Sequence, residues 1–558
     1  MNSANLPRSA AFVFLFATAA ILFAQYGPSA PVVHISAGTL RGAMQGNIAV
    51  FKGVPFAAPP LGDLRWRPPQ PPTPWKGERD ANKPGSPCMQ SVEGLGPFIQ
   101  PMAAAYGARY TILPVSASED CLYLNVWVPR WPPQDKSPVM VWLHGGSNTA
   151  GSGAQGTYDA ASLAAHGVIV VTINYRLGIF GFFSHPELTA ESPHHSSGDY
   201  GLLDQLAALE WVRDNIGQFG GDPSNVTLFG ESAGSIDAGV LIASPLSANL
   251  FHRAILESGP PFGLGASQSL RDAEAAGAAL ANAAPRTAAT PLASLRRMSA
   301  PDLLKFSNAH GPYLTSGPID GWIFPRSPAN AFASGAAQKV DLIVGINGRE
   351  LSAFRLMAAA VAKQASKPKP NNPGASSLSS LTDGMHLLYG DWTDAALASY
   401  LGEAIAHRDA ALDRATNDIV LACPVTALAD LTSSAGDRTY IYKFDRTIPG
   451  KGQVTLGAFH GLEVPYVFNA FHNESWQWLP FADADNRLSN TMETYWTNFA
   501  KTGNPNGPGV PSWPAWNSGG EGYMEFTAQA EAQARRGFSP PFCYLTADRV
   551  RTALSGTK

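Results

Sequence analysis

Gly230-Glu231-Ser232-Ala233-Gly234 carries more information about the fold than any other segment of this chain. The apolar run 226–229 (VTLF) precedes it and a small-residue run, 235–243, follows it, which predicts a strand, a sharp turn and a helix. Glycines suit both flanks, because a Cβ at either position would collide with the neighbouring strand or helix. The pattern therefore predicts that Ser232 is an exposed nucleophile and that the backbone N–H of Ala233 faces the reacting atoms.

Strand-like apolar runs alternate with helical spacing along the rest of the chain. The continuous run 168–175 (VIVVTINY) is rich in β-branched residues, as expected for a strand buried on both faces. Apolar residues at helical spacing over 202–216 predict a helix after it. Further strands are predicted at 138–143, 226–229, 342–345 and 440–444. This alternation predicts an α/β fold with a central, mostly parallel sheet covered by helices on both faces.

The composition of the chain is that of a large globular protein. Its 558 residues are 45% hydrophobic and 15% charged, which supplies a large core and argues against intrinsic disorder. The formal net charge of −4 gives no electrostatic basis for a polyanionic partner, so no nucleic-acid partner is expected. Because no repeat or clear linker divides the body, residues 25–558 are predicted to form a single domain.

The N-terminus has the pattern of an export signal. Arg8 precedes the apolar run 10–24 (AAFVFLFATAAILFA), which is shorter than the ~20 residues of a membrane span. Residues 1–24 are therefore predicted to be a signal peptide with a poorly defined cleavage site, and an uncleaved membrane anchor is the alternative. The expected location of the protein is secreted or periplasmic, with no membrane span beyond this segment.

Four cysteines, Cys88, Cys121, Cys423 and Cys543, agree with export. An even number of cysteines in an exported chain suggests two disulfides, for which three connectivities exist. Sequence order favours a local loop closed by Cys88 and Cys121, with Cys423 and Cys543 tying the C-terminus to the body. Four reduced, buried thiols are the alternative. No pair has C-x-x-C spacing, so no metal site is expected.

Two segments lack a regular hydrophobic period. Residues 93–118 are rich in Gly, Pro and Ala, and residues 364–380 (QASKPKPNNPGASSLSS) are rich in Pro, Ser and Asn. Loops of this length in a compact domain are either functional covers or disordered segments. Both segments are predicted to be loops, and a place at the rim of an active site is the functional hypothesis for each.

A serine nucleophile needs a base within hydrogen-bond reach and an acid that orients the base. After a turn of this type the chain order is serine, acid, histidine. Of the twelve histidines, His460 lies between glycines in the segment 457–463 (GAFHGLE), which suits a loop that presents an imidazole. Glu350 directly follows a predicted strand and is the candidate acid. The alternatives are a structural histidine and a solvated loop carboxylate.

An oxyanion hole needs backbone N–H groups that point at the developing negative charge. His144-Gly145-Gly146-Ser147 directly follows the predicted strand 138–143, where chains with this turn place such a loop. Two adjacent glycines allow the open backbone conformation that turns N–H groups inward. Gly146, Ser147 and Ala233 are therefore the three candidate donors.

Blocks of sequence across nearly the whole mature chain resemble those of type B carboxylesterases, the family that includes cholinesterases and bacterial para-nitrobenzyl esterases. These blocks are 53–60 (GVPFAAPP) with 64–66 (LRW), 118–125 (SEDCLYLN), 198–205 (GDYGLLDQ), 219–223 (FGGDP), 496–500 (WTNFA) and 503–506 (GNPN). The resemblance implies an α/β-hydrolase fold and a serine esterase that uses no cofactor and no metal.

The residues that the resemblance assigns fall into four groups. They are the catalytic triad Ser232, Glu350 and His460; the oxyanion donors Gly146, Ser147 and Ala233; the disulfides Cys88–Cys121 and Cys423–Cys543; and the ion pairs Arg65–Glu119 and Arg176–Asp204. The resemblance also places Glu231 near the imidazolium. A hydrogen-bonded carboxylate at the start of a helix is the alternative for Glu231.

Four positions depart from the family pattern. Ser147 replaces the third glycine of the oxyanion loop, and Asn148 replaces the aromatic residue that usually follows. The backbone N–H of Ser147 is retained, so the oxyanion hole is expected to survive. Two polar side chains at the acyl site predict a preference for short or polar acyl groups. Asp199 replaces an asparagine and Leu351 a glycine, and the sequence explains neither.

The segment between Cys88 and Cys121 contains no tryptophan. Cholinesterases place a choline-binding indole there, so acetylcholine is not an expected substrate. The expected reaction is hydrolysis of a small-molecule carboxylic ester through an acyl-enzyme. Cleavage of a carbamate, amide, thioester or lactone, or a non-catalytic binding role, is the alternative. The identity of the ester and the oligomeric state stay open.

Overall fold

The computed structural model describes residues 30–133, 136–262, 268–311, 317–364, 408–517, 521–540 and 543. The predicted signal peptide 1–24 lies outside these residues, as does all of the predicted loop 364–380 except its first residue. No helix within the described ranges combines the length and the apolar character that crossing a membrane requires.

Fourteen strands are present in the described part of the chain. They are β1 Val32–Ile35, β2 Gly38–Arg41, β3 Ala43–Gln45, β4 Ile48–Pro55, β5 Glu78–Asp80, β6 Tyr123–Val128, β7 Ser137–Leu143, β8 Ile169–Ile173, β9 Gly221–Glu231, β10 Arg253–Glu257, β11 Asp341–Asn347, β12 Thr439–Phe444, β13 Gly522–Phe526 and β14 Ala532–Arg536. β1, β2 and β5 form a small sheet. The other eleven form a large sheet in the order β14-β13-β12-β11-β10-β9-β7-β8-β6-β4-β3.

The centre of the large sheet is parallel. Each neighbouring pair from β13 through β12, β11, β10, β9 and β7 to β8 is parallel, whereas β14 at one edge and β6, β4 and β3 at the other pair antiparallel. All five residues of β8 are buried, which explains its continuous apolar run. The predicted α/β fold with a mostly parallel sheet is confirmed.

Helices connect the strands and cover the sheet. They are α1 Gly96–Ala105, α2 Ala161–Ala165, α3 Gly178–Gly181, α4 Pro186–Glu191, α5 Tyr200–Asn215, α6 Ala233–Ala243, α7 Leu270–Ala283, α8 Pro291–Arg297, α9 Ala300–His310, α10 Pro328–Ala333, α11 Leu351–Gln364, α12 Arg408–Asn417, α13 Cys423–Ser434, α14 Gln453–Leu456, α15 Val464–Val467 and α16 Asp483–Thr502. Alternate residues of β7 enter two different cores: Val139 and Val141 pack in one, Met140 and Trp142 in the other. The sheet is therefore buried on both faces.

The prediction of a loop over the whole of 93–118 is wrong, because α1 lies within it. Leu95, Phe98, Ile99 and Met102 are spaced for one helical face, and Ile99 and Met102 are buried in the core. The two prolines within α1 hide that period. One lies in the first turn, where a helix tolerates proline, and Pro101 is accommodated inside the helix.

Both disulfides are present with the pairing that sequence order favours. Cys88 is bonded to Cys121, and Cys423 is bonded to Cys543. The two implied ion pairs are present as well. Arg65 contacts Glu119 at 2.6 Å, and Arg176 contacts Asp204 at 2.7 Å with both side chains buried. In each pair the guanidinium donates two hydrogen bonds to the carboxylate, which replace bonds to water that are lost on burial.

Removal of the Cys423–Cys543 disulfide is expected to destabilise the protein more than removal of Cys88–Cys121. The first spans 120 residues of sequence and the second 33, and the entropy that the unfolded chain regains grows with loop length. The expected losses in free energy of unfolding are about 5 and about 4 kcal/mol for the respective double alanine variants. Urea unfolding followed by circular dichroism measures both losses, and the opposite order would contradict this expectation.

Candidate active site

The turn that carries Ser232 has the predicted form. Ser232 lies between β9 and α6 with φ 57° and ψ −123°, a conformation that L-residues rarely adopt. A Cβ on Gly230 would lie 2.6 Å from the backbone of Gly234, and one on Gly234 would lie 2.1 Å from the carbonyl oxygen of Leu143. The two glycines therefore let β7, β9 and α6 approach this closely.

Neighbouring backbone groups hold Ser232 in its strained conformation. Its N–H donates to the carbonyl oxygen of Glu257 at 2.9 Å, and its carbonyl oxygen accepts from the N–H of Ile236 at 2.9 Å. A Cβ on Gly259 would lie 2.3 Å from the same carbonyl oxygen, so this segment also packs closely against the turn. The side chain of Ser232 is partly exposed, as an attacking hydroxyl must be.

Glu350 and His460 are brought together at the carboxyl end of the sheet. His460 Nδ1 lies 2.6 Å from Glu350 Oε2. The other oxygen of Glu350 accepts the backbone N–H of Asn347 at 2.6 Å, and the N–H of Glu350 donates to Asn417 Oδ1 at 3.1 Å. Glu350 is fully buried, so these bonds fix its orientation toward the imidazole.

On the other side of the imidazole lies Glu231, the residue before the predicted nucleophile. His460 Nε2 is 3.1 Å from Glu231 Oε1. Nε2 has no hydrogen-bond partner among the described residues, so a bond to the hydroxyl of Ser232 is absent from this conformation. Such bonds are commonly long in an enzyme without substrate and tighten when substrate binds. Glu231 therefore lies beside the imidazole, as the resemblance implies.

The carboxylates around His460 favour its charged form. Burial lowers the pKa of His460, but the charges of Glu231 and Glu350 outweigh burial and raise it to about 9. Burial raises the pKa of Glu231 to about 7, although the charge of His460 acts in the opposite direction. A site that stabilises the imidazolium suits a base that must carry a proton during the reaction.

The variant Glu231→Gln is expected to shift the acidic limb of the kcat/KM–pH profile to lower pH by about one unit. That limb reports protonation of the base in the free enzyme. Loss of the Glu231 carboxylate removes a charge that raises the pKa of His460, so the neutral imidazole persists to lower pH. Rates with p-nitrophenyl acetate across the pH range measure the limb, and Glu525→Gln, on the distant strand β13, is the matched control. A limb that stays in place or moves to higher pH would refute the assignment.

A second layer of buried polar groups lies behind His460. The hydroxyl of Ser258 donates to Glu463 Oε1 at 2.9 Å, and the side-chain amide of Asn347 donates to the other oxygen of Glu463. Burial raises the pKa of Glu463 to about 8 and that of Glu257 well above its ordinary value. Fully buried carboxyl groups therefore lie behind the imidazole as well as beside it.

Sequence reasoning missed Asn347, Glu257 and Glu463. A signal for two of them was present in the strand ends, since Glu231, Glu257 and Asn347 are the last residues of β9, β10 and β11. These strands are adjacent and parallel, so their carboxyl ends meet at one edge of the sheet, where such folds bind ligands. A polar residue at the end of each of these three apolar strands therefore indicates the site.

The oxyanion loop lies against the turn. A Cβ on Gly145 would lie 3.0 Å from the Cβ of Ser232. Gly146 has φ 109° and Ser147 has φ 55°, and the backbone N–H groups of both have no acceptor within the described part of the chain. Ala233 is the first residue of α6, where a helix leaves its N–H groups unsatisfied. The three candidate donors are thus available to an external acceptor beside Ser232.

The prediction that Asn148 borders the acyl site is wrong. Its side chain is 1% exposed and donates from Nδ2 to Asp237 Oδ1 at 3.0 Å, within the core. The side chain of Ser147 is exposed. The amide of Asn148 turns inward because it donates to the buried Asp237. Burial of that carboxylate without hydrogen-bond donors would be unfavourable. Only Ser147 is left to support the predicted preference for short or polar acyl groups.

Aromatic side chains from α1 and α11 border the imidazole. The ring of Phe354 lies 4.9 Å from that of His460, and Phe98 contacts the same ring edge-on at 6.3 Å. Phe98 and Phe354 are themselves 5.3 Å apart. Residues of 93–118 therefore do reach the site, in agreement with the rim hypothesis, but they do so from a helix.

The two remaining departures have different surroundings. Leu351 is the first residue of α11, where leucine favours helix more than the usual glycine does. Asp199 is buried, and neither carboxylate oxygen has a partner among the described residues. Burial, with the nearby charges of Asp320 and Asp237, raises the pKa of Asp199 well above its ordinary value. Nowhere in the described ranges are three or more His, Cys, Asp or Glu side chains grouped as metal ligands would be.

Comparison with known proteins gives relatives over nearly the full length. Fumonisin B1 esterase of Sphingopyxis macrogoltabida is 36% identical over 542 residues, which cover 94% of this chain and 92% of the relative. Liver carboxylesterase of Sus scrofa is 36% identical over 543 residues, covering 91% of each chain.

Solved structures and a family model give the same result. Carboxylesterase EST55 of Geobacillus stearothermophilus at pH 6.2 superposes with a TM-score of 0.75 at 33% identity, covering 94% of this chain and 99% of that one. A PNB esterase structure has a TM-score of 0.72 at 31% identity, covering 90% and 96%. The model of the carboxylesterase family matches residues 29–543. The chain therefore belongs to the carboxylesterase family and has the α/β-hydrolase fold of its structural relatives.

Proposed function

We propose that this carboxylic-ester hydrolase is a secreted serine esterase in which Ser232 is the nucleophile, His460 the base and Glu350 the orienting acid. The observation that carries the proposal is the 2.6 Å contact between His460 Nδ1 and buried Glu350, on a ring whose Nε2 lies beside the turn of Ser232. Glu350 keeps the proton on Nδ1, so Nε2 is the nitrogen that accepts the proton of the nucleophile.

The reaction proceeds through an acyl-enzyme. Ser232 Oγ attacks the ester carbonyl carbon while His460 Nε2 takes the hydroxyl proton, and the N–H groups of Gly146, Ser147 and Ala233 stabilise the oxyanion. Collapse of this intermediate breaks the bond to the alcohol oxygen, which takes the proton from Nε2. Water then attacks the acyl carbon with the same base, releasing the acid and restoring the Ser232 hydroxyl.

The substrate is a small-molecule carboxylic ester. The relatives include enzymes named for fumonisin B1 and for carboxylic esters in general, so the family name alone does not choose one ester. The rings of Phe98 and Phe354 beside His460 provide an apolar wall next to the reacting atoms. An ester with an apolar group next to the scissile bond would contact this wall.

We also propose that residues 25–558 form one exported domain after a signal peptide at 1–24. Two disulfides in the chain suit an oxidising compartment. The large sheet runs without interruption from β3 to β14, which supports a single unit. N-terminal sequencing of the protein recovered outside the cytoplasm tests the cleavage site, and retention of residues 1–24 would favour a membrane anchor.

The proposed function is tested by hydrolysis of p-nitrophenyl esters from acetate to long acyl chains, together with labelling by a fluorophosphonate. We expect hydrolysis, and about one label per chain on the peptide that contains Ser232. The acyl-length profile measures the size of the acyl site. Hydrolysis with the label on another serine would refute the triad, and a folded protein without activity on any of the esters would point to another acyl bond or to a binding role.

A further inference from the structure

We propose that Asn148 is a positioning residue that holds the oxyanion loop against the nucleophile helix through a buried hydrogen bond to Asp237. This inference rests on the proposed function, because it assigns a role in the same reaction. It also gives a physical reason for one departure from the family pattern, the replacement of an aromatic residue by Asn148 after the oxyanion loop.

One hydrogen bond joins the two parts of the site that must stay in register. Asn148 directly follows Ser147, a candidate oxyanion donor, and Asp237 lies on α6, the helix that begins after Ser232. Asn148 Nδ2 donates to Asp237 Oδ1 at 3.0 Å, and both side chains are buried. A shift of the loop relative to the helix would break this bond, and catalysis is sensitive to displacements of about 1 Å.

The surrounding bonds fix which way the amide of Asn148 points. Gln205 on α5 donates to the second oxygen of Asp237 at 2.6 Å. The hydroxyl of Tyr175 lies 2.9 Å from Asn148 Oδ1 and 2.6 Å from the carbonyl oxygen of His144, which precedes the oxyanion glycines. The single hydroxyl proton of Tyr175 is shared between these two acceptors, so Tyr175 contacts both ends of the loop while Asn148 Nδ2 donates to Asp237.

The backbone of the loop needs such a restraint. Ser147 and Asn148 have consecutive left-handed φ values of 55° and 53°, which are unfavourable for residues with a side chain. Asparagine tolerates this conformation better than most residues do. The carbonyl oxygen of Asn148 also accepts the N–H of Gly178 at 2.7 Å. Without the side-chain bond to Asp237, the loop can relax toward a more common conformation, and the N–H of Ser147 then turns away.

An exchange of the two side chains separates positioning from mere core packing. Asn148→Asp places a second carboxylate next to Asp237 and is expected to lower kcat by about 30-fold with KM changed less than about threefold. The double variant Asn148→Asp/Asp237→Asn is expected to restore kcat to within about threefold of wild type. In it the new amide at position 237 accepts from Gln205 and donates to the new carboxylate at position 148, which still accepts from Tyr175.

Thr432→Val is the matched control, because Thr432 lies on α13, away from the turn, and the variant removes its buried hydrogen bonds to Thr439 at the start of β12 and to backbone carbonyls of its own helix. We expect it to lower the urea concentration at which half of the protein is unfolded and to leave kcat unchanged. Should Asn148→Asp fail to fold, Asn148→Ala replaces it, with an expected loss of about tenfold in kcat.

The possible results distinguish failure of the positioning role of Asn148 from failure of the proposed function. Unchanged kcat in a folded Asn148 variant overturns the positioning role, as does an exchange that restores the free energy of unfolding but not kcat. Both results leave the proposed function standing, because the wild type remains active. A wild type that hydrolyses none of the p-nitrophenyl esters and takes no fluorophosphonate label removes the proposed function, and the positioning role with it.

Discussion

Replacement of Ser232 by alanine is expected to lower kcat for ester hydrolysis by about 10⁴-fold or more. The variant removes the attacking oxygen and leaves the oxyanion donors and His460 in place. The turn should keep its shape, because the bonds that hold it run from the backbone of residue 232 to Glu257 and Ile236. The loss therefore reports chemistry and not unfolding.

The measurement compares Ser232→Ala with Ser334→Ala, whose serine is exposed just after α10 and bonds to nearby backbone and to Arg326. Steady-state hydrolysis of p-nitrophenyl acetate gives kcat, and circular dichroism checks the fold of both variants. Ser334→Ala should match wild type. If Ser232→Ala keeps activity within about tenfold of wild type, the attacking group is not Ser232.

The second large effect is expected for Glu350→Gln, which should lower kcat by about 10³- to 10⁴-fold. The backbone N–H of Asn347 donates to Glu350 Oε1, so the amide oxygen of the variant is expected to take that place. The amide NH₂ of the variant then faces His460 Nδ1, which must accept and cannot carry the proton. Because the proton moves to Nε2, the imidazole has the wrong tautomer to accept the proton of Ser232.

Glu525→Gln serves as the control for this variant, because it makes the same chemical change in an ion pair with Arg535 at the edge of the sheet. The readout is the split between kcat and KM. A wrong tautomer lowers kcat without weakening substrate binding, whereas a collapsed site changes both. Activity of Glu350→Gln within about tenfold of wild type would mean that another group orients His460.

The carboxyl groups around His460 create a trade-off between charge stabilisation and the availability of the base. Glu231 and Glu350 stabilise the imidazolium, which lowers the energy of the stage at which His460 holds the proton. The same charges raise the pKa of His460, so a smaller fraction of the free enzyme has a neutral base at neutral pH. Glu463 acts in the same direction, since its charge also raises the pKa of His460.

Much of the fold was predictable because the signals are local. The β-branched run 168–175 contains β8, and the helical period over 202–216 falls on α5 to within two residues. Gly230 and Gly234 were predicted from the steric needs of the turn, and a Cβ at either position does collide with neighbouring backbone. The helix α1 was not predicted, because its prolines conceal the helical spacing of its apolar residues. Burial of its apolar face beside the sheet stabilises the helix.

The sequence predicts which residues form the candidate site but not all of the contacts that they make. Ser232, Glu350 and His460 were chosen from chain order and strand ends, and the structure brings Glu350 and His460 into contact across 110 residues of sequence. The contact of Glu231 with the imidazole came from the resemblance alone. The inward turn of Asn148 was predicted wrongly, because its partner Asp237 lies 89 residues away in sequence.

Local sequence signals predict the strand-turn-helix at Ser232, the mostly parallel α/β architecture and the chemical groups present at the site. Each depends on the steric limits and hydrophobic period of adjacent residues, which act before distant segments meet. Three other features arise from contacts between distant segments: Phe98 borders the imidazole from a helix, Ser258 and Asn347 donate to Glu463, and Asn148 donates to Asp237. These choices depend on which buried polar groups and side-chain volumes come together, because a buried donor or acceptor must be satisfied by whatever the fold places beside it.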